Sequence, residues 1–298
     1  MENIHREAAI PAAVFLQHAA HRAMLEEVYT TPKPGLVDRL DSGAHTDMDL
    51  GTFKRSAEAV APYMGMMAAA GYRGDGAGSH GGLFQKLRAI GVQAEKAMFS
   101  ATGGVNTHKG MIFSMGLAAA CCGECIRCRG SVEYDPVFDR IREMTGDVLE
   151  KELAAICPDR PLTHGEALYL KYGAKGIRGE AAEGFPSVRQ IALPLLTRLL
   201  NQGMEENLAR LQVLTALMAF AGDTNVLSRS GPGAQRYMVH QAKSLLEQGD
   251  FDNSVYPKLR DMNRDFIARN ISPGGCADLL AITIFMHSIN TYKEDQTE

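Results

Sequence analysis

The segment Met111-Ile-Phe-Ser-Met-Gly-Leu-Ala-Ala-Ala-Cys121 is apolar on nearly every side. A helix without a polar face has to be enclosed, and a run of under a dozen residues is too short to cross a bilayer. The expected solution is a core helix wrapped by other helices. No sustained apolar–polar alternation, the mark of a half-buried strand, occurs anywhere in the chain. Apolar residues recur instead at helical spacing, at Leu16, Ala20, Ala23, Met24 and Val28, and at Leu208, Leu211, Thr215 and Met218. Phe53, Ala57, Val60, Met64 and Met67 predict another helix, kinked at Pro62. Further helices are predicted over Leu83–Phe99, Val137–Ile156, Ala234–Leu246 and Ala277–Ile289, and one starting at a Thr163 cap. The predicted class is all-α, as one domain over residues 1–298.

Totals exclude several functions. Net charge is −4 and the basic residues are scattered, so no nucleic-acid footprint is present. The first residues, Met1-Glu-Asn-Ile-His-Arg-Glu, carry no secretory h-region, and no later run is expected to reach membrane-spanning length. The expectation is a cytoplasmic protein with no membrane partner. Cys122-x2-Cys125-x2-Cys128 has the look of a metal or iron–sulfur motif. A fourth ligand at suitable spacing is missing unless Cys157 folds back, so reduced thiols beside a buried helix are expected.

Chemistry concentrates where helices give way to glycine-bearing polar segments: 32–49, 101–110, 173–184 and 221–233. In Ala101-Thr-Gly-Gly-Val-Asn-Thr-His-Lys-Gly110, Gly103 and Gly104 let the backbone lie close to a ligand. Asn106 and Thr107 are placed to cap the core helix, and Lys109 adds a cation at its positive end. That is an anion site built from backbone, dipole and side chain. It is not a Walker A loop, because His108-Lys109-Gly110 lacks the Gly-Lys-Ser/Thr order and follows a helix, not a strand. The long segment 32–49 carries Lys33, Asp38, Arg39, His45, Asp47 and Asp49. The other two segments add Lys175, Arg178, Glu180, Glu183, Asp223 and Arg229. Cations set against carboxylates in four such segments suit a polyanion with Mg²⁺, which takes one or two carboxylates plus substrate phosphates. Each residue also has a plainer use. Asp47 or Asp223 caps a helix, His45 bonds within the core, or Glu180 pairs with Arg178.

Six motifs, in order from near Val28 to Leu280, resemble the triphosphoribosyl-dephospho-CoA synthases. They are Thr31-Pro-Lys-Pro-Gly-Leu-Val-Asp-Arg39, Gly43-Ala-His-x-Asp-Met48, Ala101–Gly110, Ile177-Arg-Gly-Glu-Ala181, Gly222-Asp-Thr-Asn225 with Ser228-Arg229, and Ser272-Pro-Gly-Gly275 with Ala277-Asp-Leu-Leu280. The cysteine cluster lies outside this pattern. The resemblance implies that ATP and 3′-dephospho-CoA give 2′-(5″-triphosphoribosyl)-3′-dephospho-CoA plus adenine. That product is the prosthetic-group precursor for the acyl carrier protein of citrate lyase or, in a sister branch, malonate decarboxylase; Val37-Asp38-Arg39 and His108-Lys109 lean toward the first.

Such a reaction needs a held triphosphate, a carboxylate facing the developing ribosyl cation, and a base for the attacking hydroxyl. The expected phosphate and substrate contacts are Lys33, Arg39, Gly103, Gly104, Asn106, Thr107, Lys109, Arg178, Asn225, Ser228 and Arg229. Asp47 and Asp223 are expected on Mg²⁺, Glu180 or Asp38 as general base or cation stabiliser, and His108 in orienting a nucleotide. Two other classes share part of this inventory. An ADP-ribosyl-hydrolase-like enzyme, echoed by Gly222-Asp-Thr-Asn225, would transfer ribose to water, and a helical nucleotide-binding module would release no adenine.

Overall fold

The structure, a computed structural model, describes residues 10–75 and 82–290. The described residues form twelve α-helices and one π-helical turn, with no strand. In chain order the helices are α1 Pro11–Tyr29, α2 Leu50–Arg73, α3 Gly82–Thr102, α4 Lys109–Arg129, α5 Tyr134–Ala154, α6 His164–Tyr172 and α7 Gly176–Ala182. After the π turn Ser187–Ala192 come α8 Leu193–Asn201, α9 Glu206–Phe220, α10 Thr224–Leu246, α11 Val255–Ala268 and α12 Gly274–Ile289.

The apolar segment lies inside α4, whose buried residues run from Met111 to Ile126. α4 is 21 residues long, so the expectation that no run reaches membrane-spanning length is corrected. The helix continues past Cys121 through Glu124, Arg127 and Arg129, and most of it is enclosed by protein. α2 lies along it, and α1, α3, α5 and α12 complete the shell.

Small residues set the α2–α4 distance. A Cβ on Gly71 would lie 1.8 Å from the Ala120 carbonyl oxygen, and one on Gly123 would lie 2.2 Å from that of Ala68. The two backbones therefore touch. A second, smaller apolar cluster of Leu208, Leu211, Leu245, Phe251, Val255 and Leu259 joins α9, α10 and α11.

Several boundaries differ from the sequence reading. Within 173–184, read as a loop, Gly176–Ala182 is helical, because Ala181 and Ala182 bury against neighbouring helices. Most of 221–233 likewise belongs to α10, whose start is capped by Asp223 and which breaks at Gly231 (φ 78°) before Pro232. Helices α8 and α11 were not anticipated. The glycines from Gly71 to Gly82 read as a break in the sequence, yet α2 runs on through Pro62 to Arg73, and residues 76–81 lie outside the described residues.

The cysteines share α4 without converging. Cys122 Sγ lies 3.9 Å from Met286 Sδ, Cys125 Sγ is 3.3 Å from the Ser131 carbonyl oxygen, and Cys128 is exposed. Burial pushes the Cys121 and Cys122 thiols up. Cys157 sits in a separate exposed turn beside Asp159.

The crossing yields a prediction. Gly71→Ala or Gly123→Ala adds helix propensity yet drives a methyl group into a carbonyl. Each is expected to destabilise the protein by about 1–3 kcal/mol in denaturant unfolding; an unchanged midpoint would refute backbone contact at this crossing.

Candidate active site

The segment from Thr30 to Asp49 is irregular, as expected, and is organised by Asp38. Its carboxylate accepts the backbone N–H groups of Lys33 at 2.7 Å, Leu40 at 2.6 Å and Asp41 at 3.3 Å. The turn so closed sends Lys33 inward, where its ammonium donates to Glu27 of α1 and both side chains are about 1% exposed. Burial pushes the Glu27 carboxyl up, and the Lys33 charge opposes that shift. Farther along, His45 Nε2 meets Ser272 Oγ at 2.7 Å, and Arg229 donates to the Ala44 carbonyl and the Asn270 side chain. Burial and the Arg229 charge lower the His45 pKa, so the ring is neutral near pH 7.

These contacts frame a cavity of about 290 Å³ between the Thr30–Asp49 segment and the first turns of α4, α10 and α12. It brings together Lys33, Asp47, Asn106, Thr107, Lys109, Asn225, Ser228 and Arg229 from the predicted set. Lys109 is half-exposed and lies 3.0 Å from Glu95 of α3. Asn106 accepts the Lys109 N–H at 3.2 Å, while His108 rather than Asn106 or Thr107 occupies the cap position of α4.

Eight predicted residues do not line this cavity. Asp38 is committed to its three N–H donors. Arg39 stacks on Tyr29, 4.6 Å from the ring centroid. Gly103 and Gly104 form the positive-φ turn between α3 and α4. Arg178 opens into a different cavity. Glu180 accepts from Ser187 Oγ at 2.5 Å and from its N–H at 3.2 Å, which ties α7 to the π turn. Asp223, assigned to Mg²⁺, is buried and accepts three N–H groups, from Asn225 (2.8 Å), Val226 (3.1 Å) and Cys276 (2.9 Å). It joins the starts of α10 and α12.

His108 lies just behind the cavity wall. Thr107 Oγ1 donates to Ser56 Oγ at 2.6 Å, and Ser56 Oγ lies 2.6 Å from His108 Nδ1. With Thr107 as donor to Ser56, the Ser56 hydroxyl donates its hydrogen bond to Nδ1, and the Thr107 oxygen presents lone pairs to the cavity. The ring stands edge-on to Phe53, and its Nε2 is buried without a partner. Burial and the nearby Lys33 charge lower its pKa to about 3.

The sequence reading missed two carboxylates. Glu27 and Asp278 both line the cavity. Each sits among apolar residues of a core helix, and an acid in such company was the available signal. Asp278 makes no hydrogen bond or ion pair among the described residues. Burial, reinforced by the charges of Glu27 and Asp223, pushes its carboxyl well up. A Cβ on Gly110 would lie 2.1 Å from its Oδ2, so the glycine at the start of α4 makes room for this carboxylate. Among the described residues no three His, Cys, Asp or Glu side chains are grouped to hold a metal ion.

Cations, helix starts and one partnerless carboxylate around a single cavity in an all-α protein are features that suit a phosphorylated substrate. The chain belongs to the family described as CitG, ATP:dephospho-CoA triphosphoribosyl transferase, whose family model matches residues 13–297. It is 41% identical over 269 residues to the 2-(5''-triphosphoribosyl)-3'-dephosphocoenzyme-A synthase of Klebsiella pneumoniae, covering 90% of this chain and 88% of that protein. It is also 41% identical over 273 residues to the Escherichia fergusonii protein of the same name, covering 91% and 89%. A probable synthase of Vibrio cholerae (strain M66-2) matches over 273 residues at 41%, covering 91% and 87%. No solved structure matches the chain significantly.

The His108 environment makes a signed prediction. A base whose folded pKa is about 3, against an ordinary 6.5, binds fewer protons folded than unfolded. Its stabilising contribution is complete above pH 6.5 and is lost as pH falls toward 3. His108→Gln should therefore flatten the fall of melting temperature over that window; an identical slope in the variant would place the ring elsewhere.

Proposed function

We propose that the chain transfers the 5-triphosphoribosyl group of ATP to the 2′-hydroxyl of 3′-dephospho-CoA. The C1′–N9 bond of ATP breaks, a C1′–O2′ bond forms, and adenine leaves with a proton. The product is the prosthetic-group precursor for the acyl carrier protein of citrate lyase. Dependence on ATP supports a cytoplasmic location. The observation that carries this reading, beside family membership, is Asp278, a partnerless carboxylate facing Lys33, Lys109 and Arg229 across one cavity.

Its raised pKa suits a general base for the 2′-hydroxyl, and its charge suits stabilisation of the ribosyl cation as adenine departs. Glu180 and Asp38 have their carboxylates committed to loop and helix geometry, so Asp278 takes the role first considered for them. Lys109 and the first N–H groups of α4 hold phosphate; the single half-exposed contact with Glu95 contributes under about 1 kcal/mol and yields easily. Asn225 and Ser228 orient the ribose hydroxyls from the first turn of α10. Thr107, positioned through Ser56 and His108, accepts from a substrate hydroxyl.

Asp47 fits Mg²⁺ better than Asp223 does. It lies on the cavity rim, exposed, with only a 3.8 Å contact to His45. Mg²⁺ with one carboxylate and substrate phosphates would neutralise the triphosphate.

Chromatography of ATP and dephospho-CoA incubated with the protein should show adenine only when both are present. Adenine without dephospho-CoA would instead mark a hydrolase. Asp278→Asn should lower turnover by about 10²–10⁴-fold. Glu180→Gln should keep turnover near wild type and cost about 1 kcal/mol of stability. A carboxyl whose folded pKa is raised contributes stability at low pH that is lost as pH rises. Asp278→Asn should therefore melt higher than wild type at neutral pH and lose that advantage in acid. Normal turnover in Asp278→Asn would remove Asp278 from the chemistry.

A further inference from the structure

A second cavity, of about 300 Å³, lies on the other side of α4, between α3, α5 and α7. Its walls are apolar, with Phe84, Leu87, Phe113 and Leu117 prominent, and Val92 is exposed among its lining residues. Arg88 and Glu152 cancel one another through two hydrogen bonds of 2.6 and 2.7 Å. Arg178 opens into the same cavity, where its charge also acts on Glu152, and it makes no hydrogen bond or ion pair within 4 Å among the described residues. The two cavities meet at one ion pair: Lys109 lines the first, its partner Glu95 lines the second, and they lie 3.0 Å apart.

We infer that the second cavity binds the pantetheine arm of dephospho-CoA, an inference that rests on the proposed transferase activity. The acceptor's ribose hydroxyl reacts in the first cavity. Its 5′-diphosphate then passes Lys109 at the start of α4, where a cation and free N–H groups meet it. Beyond the diphosphate the molecule becomes an uncharged chain of methylenes, a pair of geminal methyl groups and two amides. Apolar walls match the methyl and methylene groups, and the Arg178 guanidinium, which spends no hydrogen bond within the described residues, donates to an amide carbonyl. ATP is a poor occupant, because its triphosphate would lose hydration against phenylalanine and leucine side chains with one free cation in return.

Gly91 gives a clean test. A Cβ there would meet Met67 Cε at 3.7 Å and Ile112 Cγ2 at 4.0 Å, ordinary contact distances with no backbone in the way. Larger side chains at 91 would fill the cavity while raising the helix propensity of α3. In steady-state adenine release, the KM for dephospho-CoA should rise with the volume added at 91. Gly91→Leu is expected to raise it about tenfold or more and to leave the KM for ATP within about twofold. Arg178→Ala, which adds no bulk, should raise the same KM severalfold even if Gly91→Leu fails to fold. An unchanged KM for dephospho-CoA in either folded variant, or equal rises in both KM values, would overturn the inference. A wild-type protein that releases no adenine from the two substrates would overturn the transferase reading and this inference with it. Normal adenine release with the variants unaffected would overturn this one alone.

Discussion

The contact between α2 and α4 at Gly71 and Gly123 governs more than core packing. It brings two helix backbones together without intervening side chains, so α4 has little freedom to slide or rotate. Everything chemical in the molecule is then measured from α4. Its N-terminus, with Gly110, Lys109 and the Thr107 hydroxyl, forms one wall of the first cavity. Its flank, with Ile112, Phe113 and Leu117, forms one wall of the second. A shift of α4 would move both cavities together, and Ser56 on α2 would lose His108 at the same time.

The helical class was legible because helical apolar spacing and the absence of alternation leave a chain few other folds. The burial of α4 was legible from a segment with no polar face. What misled was glycine. Gly176 and Gly231 read as loop signals, yet they sit at the start and at the break of helices whose other residues bury or are capped by Asp223. α11 was overlooked although Val255, Leu259 and Phe266 bury at helical spacing, because charged residues outnumber them between Tyr256 and Arg269.

At the site the legible part was the loops, and the hidden part was direction. Lys33, Asn106, Thr107, Lys109, Asn225, Ser228 and Arg229 come from three separate stretches and meet, since each stretch begins or ends a helix packed against α4 or its neighbours. Arg178 stood in an equally suggestive stretch and faces another cavity, because α7 packs on α5 rather than beside α12. Glu27 and Asp278 escaped notice for the opposite reason. Asp278 stands between Ala277 and Leu279 and Glu27 follows Glu26 in an otherwise apolar stretch, so each looks like an interruption of a core helix, whereas the fold turns both toward the cavity.

The polar groups that line the first cavity, together with those predicted for it, divide by how fully they are satisfied. Asp38, Asp223 and Glu180 spend their lone pairs on backbone and side-chain donors, and Arg229 spends donors on the Ala44 carbonyl and Asn270. Glu27 and Lys33 form an ion pair in the interior. Removing a partner from the buried ones, Asp38, Asp223, Glu27 or Lys33, would leave a buried polar group unsatisfied, which makes them positioning elements. Asp278 remains, and burial, reinforced by the charges of Glu27 and Asp223, makes ionising it unfavourable. A cationic centre arriving beside it reverses that balance, lowering its pKa and strengthening the interaction as charge develops. The ribosyl cation formed when adenine departs is such a centre. On the proposed role of Asp278, the negative field that resists its ionisation would attract the developing cation, which is the differential binding that speeds a reaction.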